Sequence, residues 1–196
     1  MISIEHDGSG RTYQIWKQNQ MNSCGVACMW MARGIARQTS FAEDEWNLAV
    51  RLFGAAVGSA AARLGVSPTG PMSLNPRAFS NNQGSMAAAV ANFGFYSDQL
   101  AAALRADGLR VDTNGLDRNG KIIANNIAYN RPGIALLQWS PPGRGGHFVV
   151  VGRCTQRSAS FLDPWDGHAN EQYNTGQYTA PYGGSGQIVS VLNVSA

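Results

Sequence analysis

Residues 18–28, QNQMNSCGVAC, carry two glutamines and two cysteines just before and inside an apolar segment. The apolar residues recur at helical spacing, which predicts a helix that begins near Cys24 with Ser23 or the preceding asparagine as its cap. The unpaired N–H groups and the dipole at a helix start favour a thiolate, so Cys24 is the candidate nucleophile. Cys28 lies one turn deeper among apolar residues, where burial favours the neutral thiol, and we expect it to belong to the core.

A nucleophilic cysteine needs a base, and the chain contains three histidines, His6, His147 and His168. His147 opens the apolar run FVVVG, so a central strand would hold it rigidly at its end. His6 belongs to an N-terminal segment expected to be mobile, and His168 follows Asp-Gly in a stretch expected to be a polar loop. His147 is therefore the candidate general base.

The imidazole in turn needs a group that orients it. We expect residues 147–163 to form an antiparallel hairpin that turns near Thr155, which would place Asp163 directly opposite His147. The proline after Asp163 would end the second strand there, whereas Asp166 would need a shifted turn. Asp163 is therefore the preferred carboxylate for holding the ring tautomer.

Acyl transfer also needs donors aimed at the negative charge of the tetrahedral intermediate. The backbone N–H of Cys24 supplies one donor. The side-chain amide of Gln18, six residues upstream, is the candidate for the second. Gln20 is the alternative to Gln18.

The cysteines also allow a different interpretation, a zinc site made by Cys24, Cys28, Cys154 and His168. Ligands at i and i+4 can share a metal, but the closely paired ligands typical of zinc sites are missing from the second half of the chain. We therefore expect neither a metal nor another cofactor.

Four aromatic residues follow the candidate carboxylate. Trp165 either shields the hydrogen bond between base and carboxylate from water or is an ordinary core or surface aromatic. Tyr173, Tyr178 and Tyr182 lie in a segment rich in Gly and Asn, and we expect them to decorate surface loops rather than line a cleft.

The elements that must position these side chains change character along the chain. The first part is predicted to be mainly helical beyond one short strand in RTYQIW, and a long loop is expected at 65–85. The predicted helices follow the one at Cys24 and lie at 41–64, 87–93, 97–106 and within 117–130. The last part has apolar runs bounded by turn residues, which predict strands at 134–140, 147–154, 158–164 and 187–194.

Helices followed by strands are the order of an α+β domain. Neither internal repeats nor a linker appear, so a single domain over residues 1–196 is expected. Three cysteines, two of them one helical turn apart, do not resemble a disulfide framework.

Composition excludes several classes of protein. The net charge is +3 and the fifteen Lys and Arg are scattered, so nucleic-acid binding is not expected. No apolar run is long enough to cross a membrane. The start, MISIEHDGSG, has no signal-peptide pattern, so we expect a protein that is cytoplasmic as made and exported, if at all, by a signal-independent route.

Taken together, Gln18, the CGVAC stretch at 24–28, GHFVVV at 146–151 and Asp163 with its following proline resemble the papain-like cysteine peptidases. The similarity is to the branch of bacteriocin-leader-processing peptidases, with kinship to papain-like effector proteases of bacterial pathogens and symbionts. The chain has no transmembrane or nucleotide-binding segment, so only the peptidase module of a leader-processing exporter is comparable. Between residues 28 and 146 nothing specific is matched.

The resemblance implies Gln18 as the oxyanion-hole glutamine, Cys24 as nucleophile, His147 as base and Asp163 as the orienting residue. It also implies a papain-like α+β fold, in which a helical N-terminal half carries the nucleophile and an antiparallel C-terminal sheet carries the histidine.

The implied function is hydrolysis of peptide bonds in a protein or peptide substrate, as in a bacterial effector or toxin, with a cognate inhibitor or immunity protein as a further partner. The same machinery could deamidate glutamine or transfer an acyl group as a transglutaminase does. A third alternative is a catalytically silent binding module on the same fold. The sequence predicts neither the substrate nor the oligomeric state.

Overall fold

The structure is a computed structural model that describes residues 1–18, 23–40, 48, 97–140 and 146–196. Apart from the buried, helical Leu48, the helices predicted at 41–64 and 87–93 and the loop predicted at 65–85 lie outside the described residues.

The described residues form two α-helices, nine β-strands and one 3-10 turn. The helices are α1 (Cys24–Arg37) and α2 (Ser97–Ala106), and the turn is Ala124–Asn126. The strands are β1 (Ile2–His6), β2 (Thr12–Trp16), β3 (Arg110–Asp112), β4 (Gly133–Ser140), β5 (Gly146–Cys154), β6 (Ser158–Asp163), β7 (His168–Tyr173), β8 (Gln177–Thr179) and β9 (Ser185–Ser195). Neither of these helices has the length and apolar character needed to cross a membrane.

Most of the predicted elements within the described residues are confirmed. Helix α1 begins at Cys24, and α2 has the predicted bounds and ends just before Gly108, whose positive φ of 79° suits a helix terminus. The four strands predicted between 134 and 194 appear as β4, β5, β6 and β9. These are the segments with the strongest apolar periodicity or the longest apolar runs.

Several weaker expectations are wrong. Only a 3-10 turn stands where a short helix was predicted within 117–130. His6 and His168 both lie in strands rather than in a mobile terminus and a loop, because β1 pairs with β2 and β7 pairs with β6. Strand β7 has no apolar alternation, and in β1 the alternating Ile2 and Ile4 are exposed, so neither strand has a buried apolar face.

The sheets are antiparallel throughout. Seven strands form the main sheet in the order β3-β9-β4-β5-β6-β7, with β8 added beside β9, and β1 and β2 form a separate two-stranded sheet. The N-terminal part therefore opens with a β-hairpin and is not purely helical. Two helices with a mostly antiparallel sheet confirm the α+β class.

The main sheet has a hydrophobic core on each face. Phe148 and Val150 pack with α1 and α2, whereas Val149 and Val151 pack with Phe161 and other residues of the opposite cluster. This alternation along β5 explains why the strand reads as one continuous apolar run, since both of its faces are buried.

The hairpin of β5 and β6 is confirmed, but its register is not the one expected. Val150 pairs with Leu162, so the next pair along the ladder sets Asp163 beside Val149 and two residues away from His147. The hydroxyl of Thr155 accepts hydrogen bonds from the backbone N–H groups two and three residues later, which makes Thr155 the first residue of the turn and not its centre.

Candidate active site

His147 and Asp163 form a buried, hydrogen-bonded pair. Nε2 of His147 lies 2.8 Å from Oδ1 of Asp163, and the two side chains are 6% and 0% exposed. A displacement of two residues keeps both side chains on the same face of the sheet, because the side-chain period of a strand is two. The two residues therefore meet as diagonal neighbours instead of directly opposed ones.

Cys24 meets the same imidazole from α1. Cys24 interacts with His147, and because Nε2 faces Asp163, Nδ1 is the ring nitrogen left for the sulfur. Burial by itself lowers the pKa of His147, but the interactions with Asp163 and Cys24 outweigh burial and raise the pKa to about 9. The ring is therefore protonated at neutral pH and lies between the sulfur and the carboxylate.

Asp163 accepts four hydrogen bonds. Besides the His147 ring, the backbone N–H of Trp165 donates to Oδ1 at 2.8 Å, and the hydroxyls of Tyr178 and Tyr182 donate to Oδ2 at 2.6 and 3.0 Å. Burial raises the pKa of Asp163, but these donors and the charge of His147 reverse the effect and leave the pKa below its usual value. The buried carboxylate is thus ionised.

Gln18 lies beside this network. Its backbone N–H donates to the carbonyl of Pro164 at 2.7 Å, which fixes the half-buried glutamine next to the end of β6. The backbone of Gln18 is thus next to Pro164, the residue that follows Asp163. Its rival Gln20 lies outside the described residues.

Aromatic rings surround the imidazole. Trp139 is two residues beyond Leu137, the partner of His147 on β4, and stacks on the ring with centroids 5.8 Å apart and an interplanar angle of 19°. Trp165 meets the imidazole edge-on at 6.5 Å, and Tyr182 lies 6.1 Å from Trp165. Of the two interpretations of Trp165, its place beside the imidazole agrees with the shielding one.

The residues of the alternative zinc site do not converge. Cys24 and Cys28 belong to the core beneath α1, whereas Cys154 belongs to the core on the opposite face and contacts Asn174. His168 is exposed and bonds Glu5 at 3.1 Å. Within the described ranges, no three potential metal ligands are grouped together.

Cys28 is buried in the core, as predicted, and burial raises the pKa of its thiol well above the usual value. Asp166, the rival carboxylate, accepts from the backbone N–H of His168 and from Asn170. Asp166 therefore has partners other than His147, and Asp163 is the carboxylate that is hydrogen-bonded to the imidazole.

Sequence reasoning missed Tyr178, Tyr182 and Trp139. Tyr178 is fully buried rather than in a surface loop, and Tyr182 touches the site although it is 43% exposed. Tyr173 is exposed, as expected, but it ends strand β7 instead of lying in a loop. The alternation of polar and apolar residues in QYTA, 177–180, was the signal that could have placed Tyr178 in a half-buried strand.

Comparison with models of known protein families and with curated proteins finds no match for this chain.

Proposed function

We propose that this protein is a cysteine peptidase with a papain-like arrangement. The observation that carries the proposal is the buried imidazole of His147, which is hydrogen-bonded to Asp163 at 2.8 Å and interacts with Cys24 at the first residue of α1. A nucleophile, a base and an orienting group in one connected set are the features of nucleophilic acyl transfer.

The papain-like arrangement is supported by where these residues lie. The sulfur stands at the N-terminal end of a helix that packs on an antiparallel sheet, and the imidazole stands at the start of a strand of that sheet. A helical element and a sheet thus each contribute one half of the reacting pair.

In the first half of the proposed reaction, Cys24 attacks the substrate carbonyl as a thiolate, its proton being held by His147. The Cys24 N–H and the Gln18 amide stabilise the oxyanion of the tetrahedral intermediate. As the C–N bond breaks, His147 gives its proton to the departing amine, and the acyl group stays on sulfur as a thioester.

In the second half, neutral His147 takes a proton from a water molecule, and the resulting hydroxide attacks the thioester. The intermediate collapses, the carboxylic acid leaves, and the thiolate–imidazolium pair is restored. Asp163 keeps Nε2 occupied throughout, so that Nδ1 always faces the reacting atoms.

Cys24→Ala, with Cys28→Ala as the matched control, tests this function on a peptide library read by mass spectrometry. We expect Cys24→Ala to reduce hydrolysis by about three orders of magnitude or more, because the nucleophile is lost. Cys28→Ala should keep its activity, since that thiol is buried in the core. Circular dichroism checks that both variants fold.

Retained hydrolysis in the Cys24→Ala variant would contradict the proposal. Mass spectrometry also separates backbone cleavage from an intact chain with a converted glutamine side chain, which would indicate a deamidase or transglutaminase-like enzyme instead. An electrophilic cysteine probe that labels Cys24 no faster than Cys28 or Cys154 would favour the silent binding module.

A further inference from the structure

The two oxygens of Asp163 have different partners. Oδ1 faces the His147 ring and the N–H of Trp165, whereas Oδ2 receives the hydroxyls of Tyr178 and Tyr182 at 2.6 and 3.0 Å. A carboxylate held at both oxygens cannot rotate about its terminal torsion without breaking hydrogen bonds. The tyrosines therefore help to fix the plane in which the carboxylate meets the imidazole.

The two tyrosines reach Oδ2 from one small hairpin. Tyr178 lies in the middle of β8, is fully buried and packs on Phe161 with centroids 5.0 Å apart. Tyr182 lies in the turn between β8 and β9, which is closed by a hydrogen bond from the Gly183 N–H to the carbonyl of Ala180. The hairpin thus presents one rigid, buried hydroxyl and one hydroxyl at the edge of the site.

The burial of Asp163 makes the two tyrosine hydroxyls important for its charge. Asp163 is fully buried, and burial of a carboxylate favours its neutral form unless donors replace the lost water. Hydrogen bonds to a charged group are stronger than those between neutral groups. Each tyrosine therefore stabilises the ionised carboxylate on which the proton of His147 depends.

We propose that Tyr178 and Tyr182 are positioning residues that hold Asp163 ionised and aimed at His147. The inference rests on the proposed function of Cys24 and His147 and adds two residues that act through Asp163. Tyr178 is inaccessible to any substrate, so its effect on the reaction passes through the carboxylate.

Loss of one tyrosine hydroxyl changes the pKa of Asp163 in a defined direction. Burial then dominates more strongly and raises the pKa of Asp163, so the carboxylate becomes protonated at a higher pH and His147 loses its charged partner. Among the described residues, the titratable groups that interact with Asp163 are His147, Cys28, Asp166, Tyr178 and Tyr182. Cys24 interacts with His147 on the other side of the ring.

The test measures the rate at which iodoacetamide alkylates Cys24 as a function of pH, with the labelled peptide identified by mass spectrometry. In Tyr178→Phe we expect the acidic limb of the profile to move up by about one pH unit, and in Tyr182→Phe by less, since its bond is longer and its ring half exposed. Tyr173→Phe, at an exposed position outside the network, should follow the wild type.

The Asp163→Asn background shows whether the carboxylate carries the effect. Asparagine does not titrate, so Tyr178→Phe should produce no further movement of the limb there. On a cleaved peptide, Tyr178→Phe should lower kcat about tenfold and leave KM unchanged, because the side chain cannot touch substrate.

The proposal is overturned if both single variants follow the wild-type profile, or if the shift persists in the Asp163→Asn background. Tyr182→Phe keeps the test decisive even if the buried Tyr178→Phe variant does not fold, because Tyr182 is partly exposed. Alkylation does not depend on peptide hydrolysis, so a protein that cleaves nothing would contradict the proposed function while these profiles still decide the role of the tyrosines.

Discussion

At the scale of single residues, the site depends on one imidazole with two partners. Asp163 and Cys24 both raise the pKa of His147 against the effect of burial, to about 9. A group whose pKa is raised stays protonated below that value and loses its proton as the pH rises through it. In the proposed reaction, the proton for the leaving amine is therefore present at neutral pH and is lost in alkaline solution.

The raised pKa of His147 predicts where the basic limb of the pH profile lies. We expect hydrolysis by the wild type to decline as the pH passes about 9. Asp163→Asn removes a cause that raises the pKa of His147 while burial remains, so the limb should move to lower pH. The rate of peptide cleavage measured against pH, with an NMR titration of the His147 ring, checks both expectations.

Glu5→Gln is the matched control, because Glu5 is the carboxylate partner of the exposed His168. That variant should keep the wild-type basic limb. An unchanged limb in Asp163→Asn would show that the carboxylate does not set the pKa of His147.

At the scale of elements, one of the contacts between the hairpin β1–β2 and the main sheet lies at an irregular point of that sheet. The register between β5 and β6 shifts by one residue between Val151 and Arg153, which leaves Gly152 as the extra residue of a bulge. The ring of Tyr13 from β2 lies directly over this glycine, and Arg11 donates to its carbonyl at 3.0 Å. The absence of a side chain at residue 152 is what lets β2 approach.

We predict that Gly152→Ala destabilises the protein by about 1–3 kcal/mol, the usual cost of forcing extra volume into a packed region. An added Cβ would lie 2.6 Å from Cε1 of Tyr13. Chemical denaturation gives the change in the free energy of unfolding. In a Tyr13→Leu background the same substitution should cost less, and equal costs in both backgrounds would mean that the ring is not the obstacle.

At the scale of the whole molecule, a buried asparagine ties an irregular segment to the sheet. Oδ1 of Asn174 accepts from the N–H of Ile122 at 3.1 Å, and Nδ2 donates to the Ile122 carbonyl at 2.9 Å and to that of Thr155 at 3.2 Å. Asn174 thereby joins the segment before β4 to the turn between β5 and β6, the hairpin that carries His147 and Asp163.

We expect Asn174→Ala to lower the free energy of unfolding by about 1–3 kcal/mol, because buried backbone groups of Ile122 lose their partner. Asn119→Ala, at an exposed position of the same segment, should cost little. Thermal unfolding of both variants checks the difference. Equal stabilities would show that Asn174 does not hold the two segments together.

The sequence by itself determined the strongly patterned elements and the candidate side chains for the reaction. The helix that starts at Cys24, α2 and four strands of the sheet follow from local apolar periodicity, which depends only on residues close in the chain. The pairing of His147 with Asp163 was predictable because a hairpin joins them. A register that differs by two residues still leaves both side chains on the same face of the sheet. The burial of Cys28 followed from its place within the helix.

Only the tertiary structure decided the register of that hairpin and the partners that arrive from other strands. Trp139 reaches the imidazole from β4, and Tyr178 and Tyr182 reach Asp163 from the β8–β9 hairpin, through pairings between strands far apart in the sequence. Local alternation can indicate that Tyr178 is buried, but no local pattern says which carboxylate its hydroxyl meets. The physical reason is that hydrogen bonding and burial depend on proximity in space, which the sheet creates only when the chain folds.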